Sequence, residues 1–297
     1  MKVDCEGCAG CCIDWRPLTD ADTDHERRGS RQPLDETSNL VPLTRPEVRA
    51  FVDRGHGDAL TPRLFADDDG VTIDGHSVAA IDGRPAFYVG LRKPPKSVAP
   101  FDADPTWLET CVFLDPVTLQ CRLHDGELYP DTCGAYPGEN LSLAVETECE
   151  RVEAHAPGEA AGERLSDDEP PADATPLLGP ATLGSKLFAH PEPERLSGVV
   201  SRLVADELTA ADRAEFVAVA AASAPGTGAI SDDWYERYRE RARDAASWTG
   251  RAIERWQTIA DAVGEPAPEP ECAREIEDDD GAPPTPGWDS IDDDTST

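Results

Sequence analysis

Lysine is almost missing from this chain: among its 297 residues only Lys2, Lys93, Lys96 and Lys186 are lysines. Arginine supplies the other positive charges, and 27 basic residues stand against 60 acidic ones, a formal net charge of −33. Nowhere does a run of Lys and Arg outweigh the carboxylates around it, which argues against binding to nucleic acid or an anionic membrane surface. A carboxylate-rich, lysine-poor surface suits concentrated salt, where the Debye length falls to about 3 Å at 1 M and self-repulsion is screened. We read it as a haloarchaeal signature. Long apolar runs are lacking too: no stretch nears the roughly 18 apolar residues a membrane span requires. The opening Met-Lys-Val-Asp-Cys has no apolar export core, so the expected compartment is the cytoplasm. Familiar catalytic motifs are also missing, with no glycine-rich phosphate loop, no G-x-S-x-G elbow and no H-E-x-x-H pair. An enzyme built on this chain would have to use a metal. The Asp/Glu runs at 67–69, 167–169 and 278–280 lack the ligand order of a calcium loop and read as solvated surface.

Cysteine is what the chain does have, nine of them. Cys5, Cys8, Cys11 and Cys12 crowd into eight positions, with Gly7 and Gly10 between them. A C-x2-C pair can bring both sulfurs to about 2.3 Å from one zinc, and C-x2-C-x2-C also matches three ligands of a bacterial iron–sulfur loop. The spacing points to a metal and leaves its identity open. Adjacent Cys11 and Cys12 point in different directions, so one of them is expected to serve a second metal, a redox role or the core. A second group follows, with Cys111, Cys121, Cys133 and Cys149 within 39 residues. In a reducing cytoplasm such groups favour metal or redox chemistry over disulfides, and crowded thiolates need a cation to neutralise them. His124, three residues after Cys121, is a candidate nitrogen ligand, although a packing role is favoured. His25, His56, His76, His155 and His190 lack ligand-like neighbours and are expected to be solvated, and Cys272 reads as a stray thiol in a tail.

Local patterns give the organisation. Thr44-Arg-Pro46-Glu47 predicts an N-capped helix with a capping box, burying Val48, Phe51 and Val52 and stopped by Gly55 or Gly57. Residues 64–91 alternate like a β-meander, with Asp-Gly turns at 69–70, 74–75 and 82–83. A Pro-rich link from Lys93 to Pro105 leads to apolar runs around Asp115-Pro116, read as a hairpin with Cys111 and Cys121 one per strand. A prolyl loop then holds Cys133. Residues 151–176 read as an acidic linker. Helical periodicity covers 196–208 and 209–224, and a long helix is expected over 231–263 with Trp234, Tyr238, Ala245, Trp248, Ala252, Trp256, Ile259 and Val263 on one face. The Pro- and Asp-rich tail 264–297 is expected to be disordered.

At these residues the sequence resembles the YkgJ-type cysteine-cluster family, the CxxCxxCC zinc- or iron-chelating domain. The likeness rests on Cys5-x2-Cys8-x2-Cys11-Cys12, on Leu43-Thr44-Arg-Pro46-Glu47, and on Cys111-Val-Phe-Leu114, Cys121 and Pro130-Asp-Thr-Cys133-Gly-Ala-Tyr136-Pro137. It covers residues 1 to about 150, and a flagellin lysine methylase family with a similar cysteine pattern looks like a more distant relative. The resemblance implies metal chelation by the matching cysteines, zinc or iron. Tyr129 stands where the family often carries Arg, and His124 where an aromatic is usual.

The expectation is therefore an α+β protein: a metal-stapled cysteine-cluster domain over 1–150, the linker, a helical region over 177–263, and the acidic tail. Cys5, Cys8, Cys11, Cys12, Cys111, Cys121, Cys133 and Cys149 are the expected ligands of zinc or iron, an iron–sulfur cluster included. Two alternatives accompany this reading. One is an iron–sulfur protein with redox or group-transfer, methylase-like activity. The other is a zinc-stabilised scaffold whose 231–263 helix docks a partner protein.

Overall fold

The computed structural model describes residues 9–14, 16–18, 32–38, 40–100, 103–124, 126–135 and 183–287. Cys5, Cys8 and Cys149, His25 and His155, the 151–176 linker and the end of the tail lie outside them. The fold is α+β, with short antiparallel strands in the N-terminal half and helices in the C-terminal half. In chain order the strands are β1 (Leu60–Leu64), β2 (Ala66–Ile73), β3 (His76–Val78), β4 (Ala80–Ile81), β5 (Arg84–Leu91), β6 (Pro95–Val98), β7 (Thr106–Glu109) and β8 (Phe188–Ala189). The helices are α1 (Arg45–Asp53), α2 (Asp131–Ala135), α3 (Val199–Val204), α4 (Ala210–Ala222), α5 (Asp232–Arg243), α6 (Trp248–Val263) and α7 (Pro270–Asp279). No helix among the described residues is long and apolar enough to cross a membrane.

The chain divides into two compact units, each assembled from separated segments. One holds the described residues of 24–92 and 175–247, the other those of 1–23, 93–174 and 248–297. The division therefore differs from one drawn at residues 150 and 177, because strand pairing ties the two halves of the sequence together.

In the unit of 24–92 and 175–247, a four-stranded antiparallel sheet forms around β5, which pairs with β1, β4 and β8. The expected turns at 74–75 and 82–83 are present: Asp74, Gly75, Asp82 and Gly83 all have positive φ, the backbone that Asp-Gly favours between tightly joined strands. The third expected turn, at 69–70, is not made. Those residues lie inside β2, whose register slips between Ala66 and Val71 as it pairs with β3, so the strand absorbs the extra residues as a bulge. On the sheet lies α4, alanine-rich and buried along most of its length; its apolar run from Phe216 to Ala222 leaves no polar face there, as a buried helix segment requires. Its Phe216 meets Phe87 edge-on at 4.9 Å. Two capping boxes start helices of this unit, Thr44 with Glu47 for α1 and Thr209 with Asp212 for α4. Gly57 lets α5 approach, since a Cβ there would lie 2.7 Å from the Ala242 Cα.

The long helix expected over 231–263 is two helices, α5 and α6, assigned to different units. Between them the Asp58 carboxylate accepts the Ser247 backbone N–H at 2.8 Å and its hydroxyl at 2.6 Å, which turns the chain where the apolar period alone continues. The aromatic stripe is thus divided between two helices. Tyr238, Trp248 and Trp256 are buried, while Trp234 and Val263 are exposed.

In the other unit, β6, inside the stretch read as a Pro-rich link, forms a hairpin with β7, just after it. Pro95 is tolerated because it stands first in its strand. Trp248 packs edge-on against Phe113 at 5.8 Å, and Trp107 donates its ring N–H to the Gly264 carbonyl at 3.0 Å. The tail expected to be disordered contains α7, with Pro270, Ala273, Ile276 and Glu277 buried. Composition there is acidic, but the spacing of these residues still gives the helix one buried face.

Candidate metal centre

Five thiols of the second unit arrive from three places: the N-terminal segment, the loop after β7, and α2. Ala9 at φ 55° begins a turn in which the Cys12 N–H donates to the Ala9 carbonyl at 2.7 Å. The segment then runs antiparallel to the end of β7. Ile13 bridges Thr110, the Asp14 N–H donates to Glu109 O at 2.7 Å, and the Cys111 N–H donates to Cys12 O at 2.7 Å. This pairing sets the doubled cysteine against Cys111.

From Cys111 the chain turns at Asp115-Pro116 and returns, with Leu114 bridging Cys121 and the Asp115 N–H donating to Gln120 O at 2.9 Å. The expected hairpin is therefore a tight loop held by one bridge. Pro130 starts the turn into α2, where the Cys133 N–H donates to Pro130 O at 2.9 Å. Cys11 and Cys12 do not point apart as expected but place their sulfurs 3.9 Å from each other, and the Leu123 N–H donates to the Cys121 sulfur at 3.4 Å.

These five thiols feel one another's charge. The Cys12 thiol is pushed well up by its hydrogen bond with Cys11, by burial, and by the charges of Cys11, Cys111 and Cys121. Burial raises Cys111 and Cys133, and Cys133 is raised further by Cys111, Cys121 and Cys11. Cys121 is pushed up to about 12 by burial and by Cys111. Against these stand two lysines of a lysine-poor chain. Lys93 and Lys96 are 8% and 0% exposed, Lys93 Nζ donates to Cys11 O at 3.2 Å, and both charges favour the Cys111 thiolate.

Among the described residues, no three His, Cys, Asp or Glu side chains form a ready-made ligand group. The side chains concerned are thiols, the donors that suit zinc or iron, and the nearest sulfurs are those of Cys11 and Cys12. Cys5, Cys8 and Cys149 fall outside the described residues, and Cys272 lies exposed on α7. His124 packs its ring 5.0 Å from that of Tyr129. Tyr129 is raised by burial and then by the charges of Cys133 and Cys121.

The first unit holds a polar cluster that no motif announced. Glu215, on α4, accepts the Tyr235 hydroxyl at both oxygens, at 2.6 and 2.7 Å. His190 Nε2 lies 3.2 Å from the same carboxylate, and the Arg239 guanidinium approaches at 3.1 Å. Burial pushes Glu215 up, but these hydrogen bonds and charges prevail and hold it at about 2. His190 is fully buried, and the Glu192 N–H donates to its Nδ1 at 3.3 Å, so the reading of His190 as solvated is corrected. His56 is corrected in part: its ring is half-buried and burial lowers its pKa.

No curated protein and no solved structure matches the chain. A family model described as a family of unknown function, DUF7531, matches residues 1–289, and the chain belongs to that family.

Proposed function

We propose that the protein is a cysteine-thiolate metal-binding protein holding zinc or iron. The observation that carries this reading is the backbone pairing of Cys12 with Cys111, which sets two cysteine-bearing segments distant in sequence beside each other. The likeness to the YkgJ-type family supports it from the sequence side. Thiols this close resist simultaneous ionisation unless a cation compensates them, and a bound metal supplies that compensation. Cys11, Cys12, Cys111, Cys121 and Cys133 would provide the ligands, joined by Cys5, Cys8 and Cys149. The metal would tie the N-terminal segment to the loop after β7, so its binding energy becomes folding energy. The reducing cytoplasm is the compartment in which these thiols stay available.

The test is elemental analysis with a visible absorption spectrum on protein purified without oxygen in high salt. Bound zinc without colour assigns structural thiolate sites. Iron with labile sulfide and a broad visible band assigns a cluster and makes electron transfer the activity to measure. A colourless protein with neither metal overturns the reading.

A further inference from the structure

We infer that Glu277 on α7 is a positioning residue for the thiol cluster, a latch through which the C-terminal helix sets the two segments that present Cys111 and Cys121. The inference rests on the metal-binding reading for its consequence and on geometry for its substance. Glu277 is fully buried yet carries a carboxylate. Its Oε1 lies 2.8 Å from Lys96 Nζ, and its Oε2 accepts from Arg122 Nε at 2.9 Å and Nη2 at 2.5 Å.

Both cations pass this grip to the cysteine loop. Lys96 Nζ donates to the carbonyls of Cys111 at 3.4 Å, Val112 at 3.3 Å and Leu114 at 2.7 Å, so one ammonium gathers the turn that begins at Cys111. Arg122 is the residue after Cys121, and its Nη2 also reaches Asp115 at 3.1 Å. Asp115 closes the same turn by accepting the N–H groups of Val117 and Thr118 at 3.0 and 2.9 Å. A second α7 side chain, Arg274, holds Asp115 with contacts of 2.8 and 3.0 Å from Nη2.

A hydrophobic side chain at 277 would have satisfied packing alone. A carboxylate in this dry site demands cations, and the two it takes are those bonded to or adjoining Cys111 and Cys121. Groups that hydrogen-bond a metal ligand fix its orientation, and their loss costs about 10–100-fold in metal affinity; Glu277 acts one step further out, through Lys96 and Arg122, so the lower end of that range applies.

The experiment uses the full chain in high salt, with Glu277→Gln, Arg274→Gln and the packing control Ile276→Ala, whose side chain is buried on the same helix. Two rates are read: transfer of zinc from the zinc-loaded protein to a chromophoric chelator, and alkylation of Cys111 in the metal-free protein, located by mass spectrometry. The expected result is zinc transfer about tenfold faster in Glu277→Gln, with faster alkylation of Cys111, while Ile276→Ala lowers the melting temperature and leaves both rates at the wild-type value. Arg274→Gln should accelerate both in the same direction, and it decides the matter if Glu277→Gln does not fold. Wild-type rates in the latch variants, or equal acceleration in Ile276→Ala, would overturn the inference. If the wild-type protein holds no zinc but Glu277→Gln and Arg274→Gln, unlike Ile276→Ala, speed alkylation, the latch stands and the metal-binding reading falls.

Discussion

The Cys111 amide donates to the Cys12 carbonyl at 2.7 Å, a contact between the first cysteine cluster and the second. Thiols on both strands of that contact, together with Cys133 from α2, are expected to share metal. Cys133→Ser should therefore lose metal and melt at a lower temperature, because structural thiolate sites contribute on the scale of about 10–16 kcal/mol in zinc-finger peptides. Cys272→Ser is the control, since Cys272 is exposed on α7. Metal content and melting are measured together for both. A Cys133→Ser protein indistinguishable from wild type would remove Cys133 from the ligand set.

The elements that local chemistry dictates were legible in the sequence. Thr44 and Glu47 announce α1 because the capping box is written in neighbouring residues, and the turns at 74–75 and 82–83 follow from Asp-Gly. What local pattern does not carry is partnership across the chain. Gly70 looks like a third turn, yet it lies in β2, where a Cβ would meet the Val78 carbonyl at 2.0 Å. The period running through Trp248 hides the break before it, which depends on Asp58 holding Ser247. Acidic composition likewise hides α7, because Glu277 reads as one more surface carboxylate until Lys96 and Arg122 close on it. Of the candidate site, the cysteine spacing was legible and the lysines behind it were not.

Glu215 gives a pH dependence whose sign is fixed. Its native pKa of about 2 lies below the ordinary glutamate value of about 4.3. The ionised form is thus favoured by folding, and the stabilisation is present above the unfolded value and lost as pH falls through the native one. Glu215→Gln should lower stability near neutrality and flatten the acid limb of the stability curve between about pH 4 and 2. Urea unfolding of wild type and variant at several pH values checks this. Curves that stay parallel down to the acid end would show that Glu215 is not the group lost there.

At the start of α1, Thr44 accepts the Glu47 N–H at 3.5 Å while the Glu47 carboxylate accepts the Thr44 N–H at 2.6 Å. Removing the hydroxyl with Thr44→Ala should cost about 1 kcal/mol, whereas Thr44→Ser should cost little because serine caps equally well. Chemical denaturation with an unchanged slope tests the pair. An alanine variant as stable as the serine one would mean that Glu47 holds the helix start alone.

The net charge of −33 makes salt a direct probe of the surface. Raising ionic strength from about 0.1 M to about 1 M shortens the Debye length from about 10 to about 3 Å, which relieves repulsion among carboxylates in the folded state. The same screening weakens exposed pairs such as Arg241 with Asp53 and Arg243 with Asp244, but surface pairs are worth only about 0–1 kcal/mol each. Repulsion dominates, so the melting temperature should rise with potassium chloride. Chloride and sulfate separate the cause. If screening governs, melting temperatures in the two salts coincide at matched ionic strength, whereas strengthened apolar burial would place sulfate well above chloride. A melting temperature that falls with added chloride would show that the exposed ion pairs outweigh the repulsion and would overturn the high-salt reading of the surface.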